Sequence, residues 1–398
     1  MMDSQFTFIS AMTTERNLEE AIDALAKQVN SQAEGRPLDL VFVFLSPHFT
    51  HSARHIAERL WVTYEPGVLL GCTAEGVIGR EQEIEGEAGI SVVAANLPGV
   101  ELAPFLLQSN DWPVMLLDED EFHRVVDAPE DSRLIIALGD PFSAPIDDIL
   151  HAFNCFYSGI PMAGGMASGA LRPHGNVLIL NDRVLQGGFV GVALSGALDA
   201  DIIVSQGCRP IWKPLKITAA QKNVIFSLEG QPPLAWIEEL VPELSEDDRA
   251  LLQNGLFVGR AINPQQEGLG RGDFLIRGVI GLDQQKGSIA IADYVQEGET
   301  IQFHLRDAYT AKEDLEMMLI PQVFRGPAAG GLLFSCNGRG MRLYDYPNGD
   351  ISIIQRNLGE LPLAGFFCAG EIGPIGGENF LHGHTASLVL LRAQASED

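Results

Sequence analysis

The chain has 398 residues, of which 46% are hydrophobic and 20% are charged, a composition that provides apolar material for two or three domains. Its 53 acidic and 26 basic residues give a net charge of −27, which argues against nucleic acid and anionic membranes as partners, because both attract clustered lysine and arginine. The five cysteines are odd in number and show no CxxC spacing, so we expect reduced thiols and neither a disulfide framework nor a zinc site.

The first 110 residues predict alternating strands and helices followed by a pair of strands. Their helices are indicated by apolar residues at the helical period and their strands by short apolar runs. The expected segments are, in order, a strand at 6–12, a helix from about Thr14, a strand at 38–46, a helix at 50–62, a strand at 67–70 and paired strands at 88–97 and 100–108.

The same order recurs further along the chain. A strand that runs into a proline-containing loop at 132–143 is followed by a helix at 145–156, as in the first segment. Pro47 matches Pro141 and Gly71 matches Gly165, both at an offset of 94 residues. Two anchors at one offset within one element order predict an internal duplication whose unit is strand–helix–strand–strand–strand.

The C-terminal part indicates a third, weaker copy of this unit. Before it, helices are expected at 234–244 and 245–255, the second beginning with a capping box of Ser245 and Asp248. A strand pair is expected at 274–293, and Thr310 is expected to cap the following helix.

The fold class predicted from this order is α/β to α+β, with mixed β-sheets flanked by helices and built from repeated units. Two prolines and an excess of basic residues break the periodicity at 208–225. We therefore expect two lobes, residues 1–210 with two repeats and residues 220–392.

Small-residue loops end several of the predicted strands: GCTAEG at 71–76, GGMASG at 164–169, SCNGRG at 335–340 and CAGEIG at 368–373. Such loops can be plain turns, but they also let a ligand approach the backbone closely. Two carboxylates and free amides suit a zwitterion, with a carboxylate on the ammonium, and an arginine can clamp a carboxylate. The candidate ligand-binding residues are Cys72, Thr73, Glu75, Gly165, Ser168, Cys336, Asn337, Arg339 and Glu371.

Other motifs do not predict a metal, a cofactor or a catalytic residue. His48, His51 and His55 have a spacing that can chelate a metal, yet no further ligand signature accompanies them, so surface or capping roles are expected. The HGH at 382–384 is interpreted in the same way. The sequence has no phosphate-binding GxxxxGK[ST], no GxGxxG fingerprint and no GxSxG elbow.

The four loop motifs, together with FLHGHTASLVLL after the last one, resemble the FIST domain of F-box and intracellular signal transduction proteins. The first two motifs resemble its N-terminal half and the last two its C-terminal half, so the resemblance covers nearly the whole chain. It implies a sensory module that binds small metabolites such as amino acids and, here, stands without an attached output domain.

We therefore expect a soluble, cytoplasmic sensory protein that binds a small anionic or zwitterionic metabolite between its lobes and has a separate signalling protein as its partner. No signal peptide or membrane-spanning pattern is recognised in the sequence. One alternative is a hydrolase or transferase with Cys336 or Cys72 as nucleophile. Another is a protein-interaction scaffold without a ligand.

Overall fold

The computed structural model describes residues 5–110, 112–253, 255–263, 266, 268–270 and 272–394, and the backbone divides into two compact units. The larger unit contains the described residues up to Ser205, Leu315–Leu381 and those from Thr385 onward. The smaller unit contains the described residues of Gln206–Asp314 together with His382–His384. The smaller unit is therefore an insertion between two parts of the larger one, a division that differs from the lobes 1–210 and 220–392.

The strands of the larger unit belong to three repeats. The first repeat contains β1 (Thr7–Thr13), β2 (Leu40–Leu45), β3 (Val68–Thr73), β4 (Gly76–Gly79), β5 (Gln82–Glu85) and β6 (Ile90–Asn96). The second contains β7 (Val100–Leu107), β8 (Leu134–Gly139), β9 (Met162–Met166), β10 (Leu178–Leu180), β11 (Arg183–Leu185) and β12 (Phe189–Gly196). The third begins with β13 (Leu198–Gln206).

The smaller unit interrupts the third repeat. Its strands are β14 (Cys208–Pro210), β15 (Leu215–Gln221), β16 (Val224–Leu228), β17 (Phe257–Ala261), β18 (Phe274–Asp283), β19 (Ser288–Ile291) and β20 (Thr300–Arg306). The third repeat then resumes with β21 (Gly330–Cys336), β22 (Leu363–Cys368), β23 (Glu371–Ile375), β24 (Glu378–His382) and β25 (Thr385–Ala393).

Helices connect strands in the repeats and in the smaller unit. They are α1 (Leu18–Ala33), α2 (Ala53–Tyr64), α3 (Trp112–Leu117), α4 (Glu119–Val126), α5 (Ile146–Phe156), α6 (Pro233–Leu240), α7 (Glu246–Gln253), α8 (Ala308–Arg325), α9 (Met341–Tyr344) and α10 (Gly349–Leu358), with 3₁₀ turns at Pro47–Ser52 and Val241–Glu243. Two of the helices, α6 and α7, belong to the smaller unit. The predicted fold class, mixed sheets flanked by helices and built from repeated units, is confirmed.

The three repeats of the larger unit form three six-stranded sheets with one common plan. The strand orders are β1-β6-β2-β3-β10-β11, β7-β12-β8-β9-β23-β24 and β13-β25-β21-β22-β4-β5. In each sheet four strands come from one repeat, and the central pair (β2–β3, β8–β9 or β21–β22) is parallel. The last two strands are a hairpin supplied by a different repeat, so each repeat donates one hairpin to a neighbouring sheet.

The hairpin exchange fixes where the predicted loops lie. The segments β3–β4, β9–β10 and β22–β23 each leave the end of a parallel strand and continue into another sheet. GCTAEG, GGMASG and CAGEIG therefore occupy equivalent crossing positions in the three repeats.

A single apolar core fills the space among the three sheets. Phe44 of the first sheet lies 4.9 Å from Phe366 of the third between ring centroids, and Phe366 lies 5.7 Å from Phe334. Ile136 of the second sheet belongs to the same cluster. The outer face of the first sheet is covered by α1 and α2, and that of the second by α3, α4 and α5.

The smaller unit is an antiparallel sheet in the order β14-β20-β15-β16-β19-β18-β17, and β20 also pairs with β17, so that six strands close on themselves. The predicted strand pair is confirmed as β18 and β19. The predicted capping residue of α7 is also confirmed, because the amide of Asp248 donates to Ser245 Oγ at 3.1 Å.

Two predicted helix starts are wrong, and a side-chain cap explains each. The first helix begins at Leu18 and not near Thr14, because Asn17 Oδ1 accepts from the amides of Glu19 and Glu20. Thr310 does not cap α8, since its own amide donates to Asp307 Oδ1 at 2.7 Å. Across the part of the chain that the structure describes, no helix has the length and apolarity to cross a membrane.

Candidate functional site

All nine candidate residues lie in the larger unit, at or next to the ends of parallel strands. The structure brings most of them together because the three crossing loops meet one another. The positions are the end of β3 for Cys72 and Thr73, the β3–β4 loop for Glu75, β9 for Gly165, the loop after β9 for Ser168, the end of β21 for Cys336, the loop after β21 for Asn337 and Arg339, and the start of β23 for Glu371.

Ser168 connects the three crossing loops. Its Oγ accepts a hydrogen bond from the amide of Glu75 at 2.8 Å and donates to the carbonyl oxygen of Phe367. Its own amide donates to the carbonyl oxygen of Thr73 at 3.2 Å. With 3% of its surface exposed, Ser168 acts as a link between protein segments, and its hydroxyl hydrogen is already used.

Backbone contacts hold the second and third loops together. The amide of Met166 donates to the carbonyl oxygen of Gly370 at 2.8 Å, and the amide of Ala369 donates back to Met166 at 2.9 Å. A Cβ atom on Gly165 would lie 2.4 Å from Cys368 Sγ. The small residues are therefore required by the approach of one loop to another, which gives them a structural reason independent of any ligand.

Thr73 also bonds to the second repeat. Its Oγ1 accepts from the amide of Val177 at 2.9 Å, and its amide donates to the Val177 carbonyl oxygen at 2.9 Å. Thr73 therefore fastens the strand end of the first repeat to the far end of the loop that carries Ser168.

Glu371 is a buried carboxyl group with one unsatisfied oxygen. Its Oε2 accepts from the amide of Thr385 at 3.2 Å and from the Thr385 hydroxyl at 2.8 Å. Within the described residues its Oε1 is buried without a hydrogen-bond partner. Burial raises the pKa of Glu371 to about 8, although Thr385, Arg339 and Cys336 act in the opposite direction. At neutral pH the protonated form therefore predominates.

Arg339 is already paired with a carboxylate of the protein. Its Nε donates to Asp350 Oδ2 at 2.8 Å and its Nη2 to Asp350 Oδ1 at 2.6 Å, and neither side chain is exposed. Tyr344 and Ser335 donate to the same carboxylate, each at 2.7 Å. Burial alone would raise the pKa of Asp350, but the charge and hydrogen bonds of Arg339 hold it below its usual value. A clamp by Arg339 on a ligand carboxylate would require this pair to break.

Glu75 forms a more exposed ion pair with Arg342 of α9, whose Nη2 and Nη1 both donate to its carboxylate. The same Nη1 donates to the carbonyl oxygen of Asn337 at 2.8 Å. The Arg342 side chain is 56% exposed. Arg342 thus bridges the first crossing loop and the loop after β21 from the solvent side.

A second buried carboxyl group, Glu83 in the first repeat's hairpin, holds the start of α10. Its two oxygens accept from the amides of Gly349 and Ile351 at 3.0 and 2.9 Å. Burial, with Asp350 nearby, raises the pKa of Glu83 to about 8. This contact anchors the exchanged hairpin to the third repeat.

Four of the five cysteines are buried, and Cys155 is exposed. Burial raises the pKa of Cys72 and of Cys368 well above the ordinary thiol value, which disfavours the thiolate that a nucleophile needs. Cys336 is 6% exposed, and its Sγ accepts from the amide of Gly338. These environments give little support to catalysis by Cys72.

Sequence reasoning missed several residues of the site. The missed residues lie in a stretch whose apolar residues follow no clear helix or strand period: Arg342, Tyr344 and Asp350. The residues to which they bond are distant or irregularly spaced in the sequence. The sequence offered one chemical signal for Asp350: an arginine that is buried between two glycines requires an acidic partner. The sequence does not identify which acid is that partner.

Similarity to known proteins agrees with the resemblance noted in the sequence. A model of the FIST N domain matches residues 39–231, and a model of the FIST C domain matches residues 233–374. Among solved structures, the "cyanuic acid hydrolase from A. caulinodans" aligns over 98% of this chain and 100% of that one, at 9% identity. Its TM-score of 0.32 is too low to establish a common fold.

Two mycobacterial proteins resemble the chain along almost all of its length. "Uncharacterized protein Rv0628c" of Mycobacterium tuberculosis (strain ATCC 25618 / H37Rv) is 38% identical over 375 residues, covering 93% of this chain and 95% of that protein. "Uncharacterized protein Mb0898c" of Mycobacterium bovis (strain ATCC BAA-935 / AF2122/97) is 37% identical over 385 residues, covering 96% and 97%. With both domain models matched in order, the chain belongs to the FIST family, whose domains are generally sensory domains of signal transduction.

Proposed function

We propose that the larger unit senses an amino acid or a related small zwitterion, which binds where the three crossing loops meet. The observation that carries this proposal is Oε1 of Glu371, a buried carboxyl oxygen that no N–H or O–H group of the described residues contacts as a donor; the weakly donating thiol of Cys336 is a further hydrogen-bond neighbour of the Glu371 side chain. An unpaired buried oxygen costs about 1–3 kcal/mol, and a ligand donor is one of the few explanations for its retention.

The chemistry of Glu371 suits an ammonium group. Its carboxyl has a pKa of about 8 in the absence of ligand because it is buried. A ligand ammonium close to Oε1 favours the ionised form, so binding at neutral pH expels the carboxyl proton. The ligand carboxylate is left to the loop amides, because Arg339 is occupied by Asp350.

The position of the core limits where the ligand can lie. Phe366, two residues before Cys368, already belongs to the filled core among the sheets. The ligand must therefore occupy the layer of loops. We propose that Arg342 opens this layer, because its partly exposed pair with Glu75 contributes only about 0–1 kcal/mol.

The proposal includes a cellular compartment and an output partner. All five cysteines are free, which is in keeping with a reducing compartment such as the cytoplasm. We propose a separate signalling protein as the output partner, in line with the role of the family.

The test uses a library of amino acids and organic acids in a thermal-shift assay, followed by calorimetry. A ligand at 100 times its dissociation constant stabilises the protein by about 2.7 kcal/mol. Calorimetric titrations in two buffers with different ionisation enthalpies should show that close to one proton is released. Glu371→Gln should abolish this release and weaken binding, whereas Glu87→Gln, an exposed glutamate of the first repeat, should change neither. The absence of any shift at millimolar ligand, or proton release that persists in Glu371→Gln, contradicts the proposal.

A further inference from the structure

The larger unit has a cavity whose lining contains no residue of the GCTAEG, GGMASG or CAGEIG loops. It has a volume of about 660 Å³ and lies between the first turn of α2 and the loop that joins β9 to β10. It does not include any of the nine candidate residues. Its lining residues are Thr50, His51, Arg54, Arg172, His174, Gly175, Val177, Val184, Leu185 and Gln186.

The cavity lining is basic in a strongly acidic chain. Arg54 comes from the first turn of α2 and His51 from the 3₁₀ turn before it, and Arg172 and His174 come from the opposite loop, while the lining contains no carboxylate. In the part of the chain that the structure describes, neither guanidinium group forms an ion pair or a hydrogen bond, although many other arginines are paired with acids. A chain with a net charge of −27 thus keeps two unneutralised guanidinium groups at one concave site.

The loop that carries the second pair of basic residues is held in place by buried contacts. Asn176 is 1% exposed, accepts from the amide of Ala170 at 3.2 Å and donates to Asp140 Oδ1 at 3.0 Å. His174 has a left-handed backbone with φ of 62°, a conformation that costs energy in a residue other than glycine. Arg172 and His174 are therefore presented on a fixed loop, which reduces the entropy lost when they bind a ligand.

We propose that this cavity binds an organic phosphate, with the phosphate between Arg54 and Arg172. The planar guanidinium matches phosphate oxygens in a bidentate manner, and the imidazoles add N–H donors. The positive end of the twelve-residue helix α2 contributes in the same direction. The volume lies within the range of about 300–1,000 Å³ that is usual for small-molecule sites, and Val177, Val184 and Leu185 form an apolar wall for the rest of the molecule.

The experiment is calorimetric titration of the full chain with inorganic phosphate, adenosine 5′-monophosphate and citrate, at constant ionic strength and in a phosphate-free buffer. We expect saturable binding of both phosphates, tighter for the monophosphate because its body reaches the apolar wall. Arg54→Gln and Arg172→Gln should each weaken binding by about tenfold, the usual loss for one hydrogen-bonded charge. Both side chains are exposed, so the melting temperature without ligand should stay unchanged.

Arg36→Gln is the matched control, because Arg36 is an exposed arginine paired with Glu34 away from the cavity lining. It changes the net charge equally and should leave binding unaltered. Weakening by Arg36→Gln comparable to that by Arg54→Gln would overturn the proposal, as would the lack of saturation or citrate binding at least as tight as that of the monophosphate. Glu371→Gln should retain phosphate binding, so the two proposed sites can fail independently.

Discussion

The guanidinium of Arg339 and the carboxylate of Asp350 form a bidentate ion pair in which neither side chain is exposed to solvent. Arg339 lies in the loop after β21, where the sequence predicted a ligand-binding arginine, and Asp350 lies in the first turn of α10. Because Tyr344 and Ser335 complete the hydrogen bonding of Asp350, the arginine orders the third repeat.

Asp350→Ala should destabilise the protein by about 3–5 kcal/mol, because it leaves an unpaired buried guanidinium. Urea unfolding monitored by circular dichroism measures the change. Arg356→Ala removes an exposed partner of Glu316 and should cost less than about 1 kcal/mol. If Asp350→Ala costs no more than Arg356→Ala, the pair is not the structural element described here.

Ser168→Ala should lower the free energy of unfolding by about 1–3 kcal/mol, since the amide of Glu75 and the carbonyl of Phe367 both lose a buried partner. Chemical denaturation provides the value. Ser31→Ala removes an exposed hydroxyl that bonds only to its own helix and should change stability by a few tenths of a kcal/mol. Equal effects of the two changes would contradict a linking role for Ser168.

Gly165→Ala should destabilise the meeting point of the loops by about 1–3 kcal/mol, because the new methyl group overlaps Cys368 Sγ. The double variant with Cys368→Ala should recover part of the loss, and a thermodynamic cycle gives the coupling. Gly278→Ala adds a methyl group with no heavy atom within 4 Å and serves as the control. If the effects of Gly165→Ala and Cys368→Ala are additive, the new methyl group does not overlap Cys368 Sγ, and the prediction is wrong.

The contribution of Glu371 and Glu83 to stability should fall as pH rises between about 4.5 and 8. Both carboxyls have pKa values raised from 4.5 to about 8 in the folded protein, so within this window the folded state binds more protons than the unfolded state. The contribution is fully present below pH 4.5 and is lost as pH rises through 8.

Urea unfolding at pH 5, 7 and 9 tests this dependence. Glu371→Gln should reduce the loss of stability between pH 5 and 9, whereas Glu87→Gln should leave it as in the wild type. A steeper decline in Glu371→Gln would reverse the sign and refute the assignment of a neutral buried carboxyl.

Thiol reactivity should follow burial, with Cys155 modified first. It is the exposed cysteine, whereas Cys72, Cys208, Cys336 and Cys368 are buried. Labelling with a disulfide reagent at pH 7.5 should show one fast thiol, which Cys155→Ser removes. A second fast thiol that maps to Cys336 would favour the nucleophile hypothesis over the sensor.

The sequence predicted the repeats well, because local signals define them. Pro47 and Pro141 and the pair Gly71 and Gly165 recur at one offset, and the elements around them follow the expected order. The exchange of hairpins was not predictable, since alternating apolar patterns determine which face of a strand is buried but not which sheet the strand joins.

The sequence predicted the position of the candidate loops but not the partners of their charged side chains. Glycine-rich ends of buried strands correctly indicated loops that come together, and Ser168 and Glu75 do meet. Partners such as Asp350 for Arg339 depend on three-dimensional placement, and the composition of a loop does not show whether its charges face a ligand or each other.

The exchanged hairpins also bear on how the chain can be divided. The sheet of the second repeat needs β23 and β24, which are among the last strands synthesised, and the first repeat's hairpin β4–β5 joins the third sheet by pairing β4 with β22. A fragment ending near residue 210 would therefore expose an unpaired strand edge on β9 and leave one hairpin without a sheet, two conditions that promote aggregation. An isolated FIST N fragment of this chain should therefore aggregate. During synthesis on the ribosome, the sheet of the second repeat cannot be completed until the third repeat has emerged.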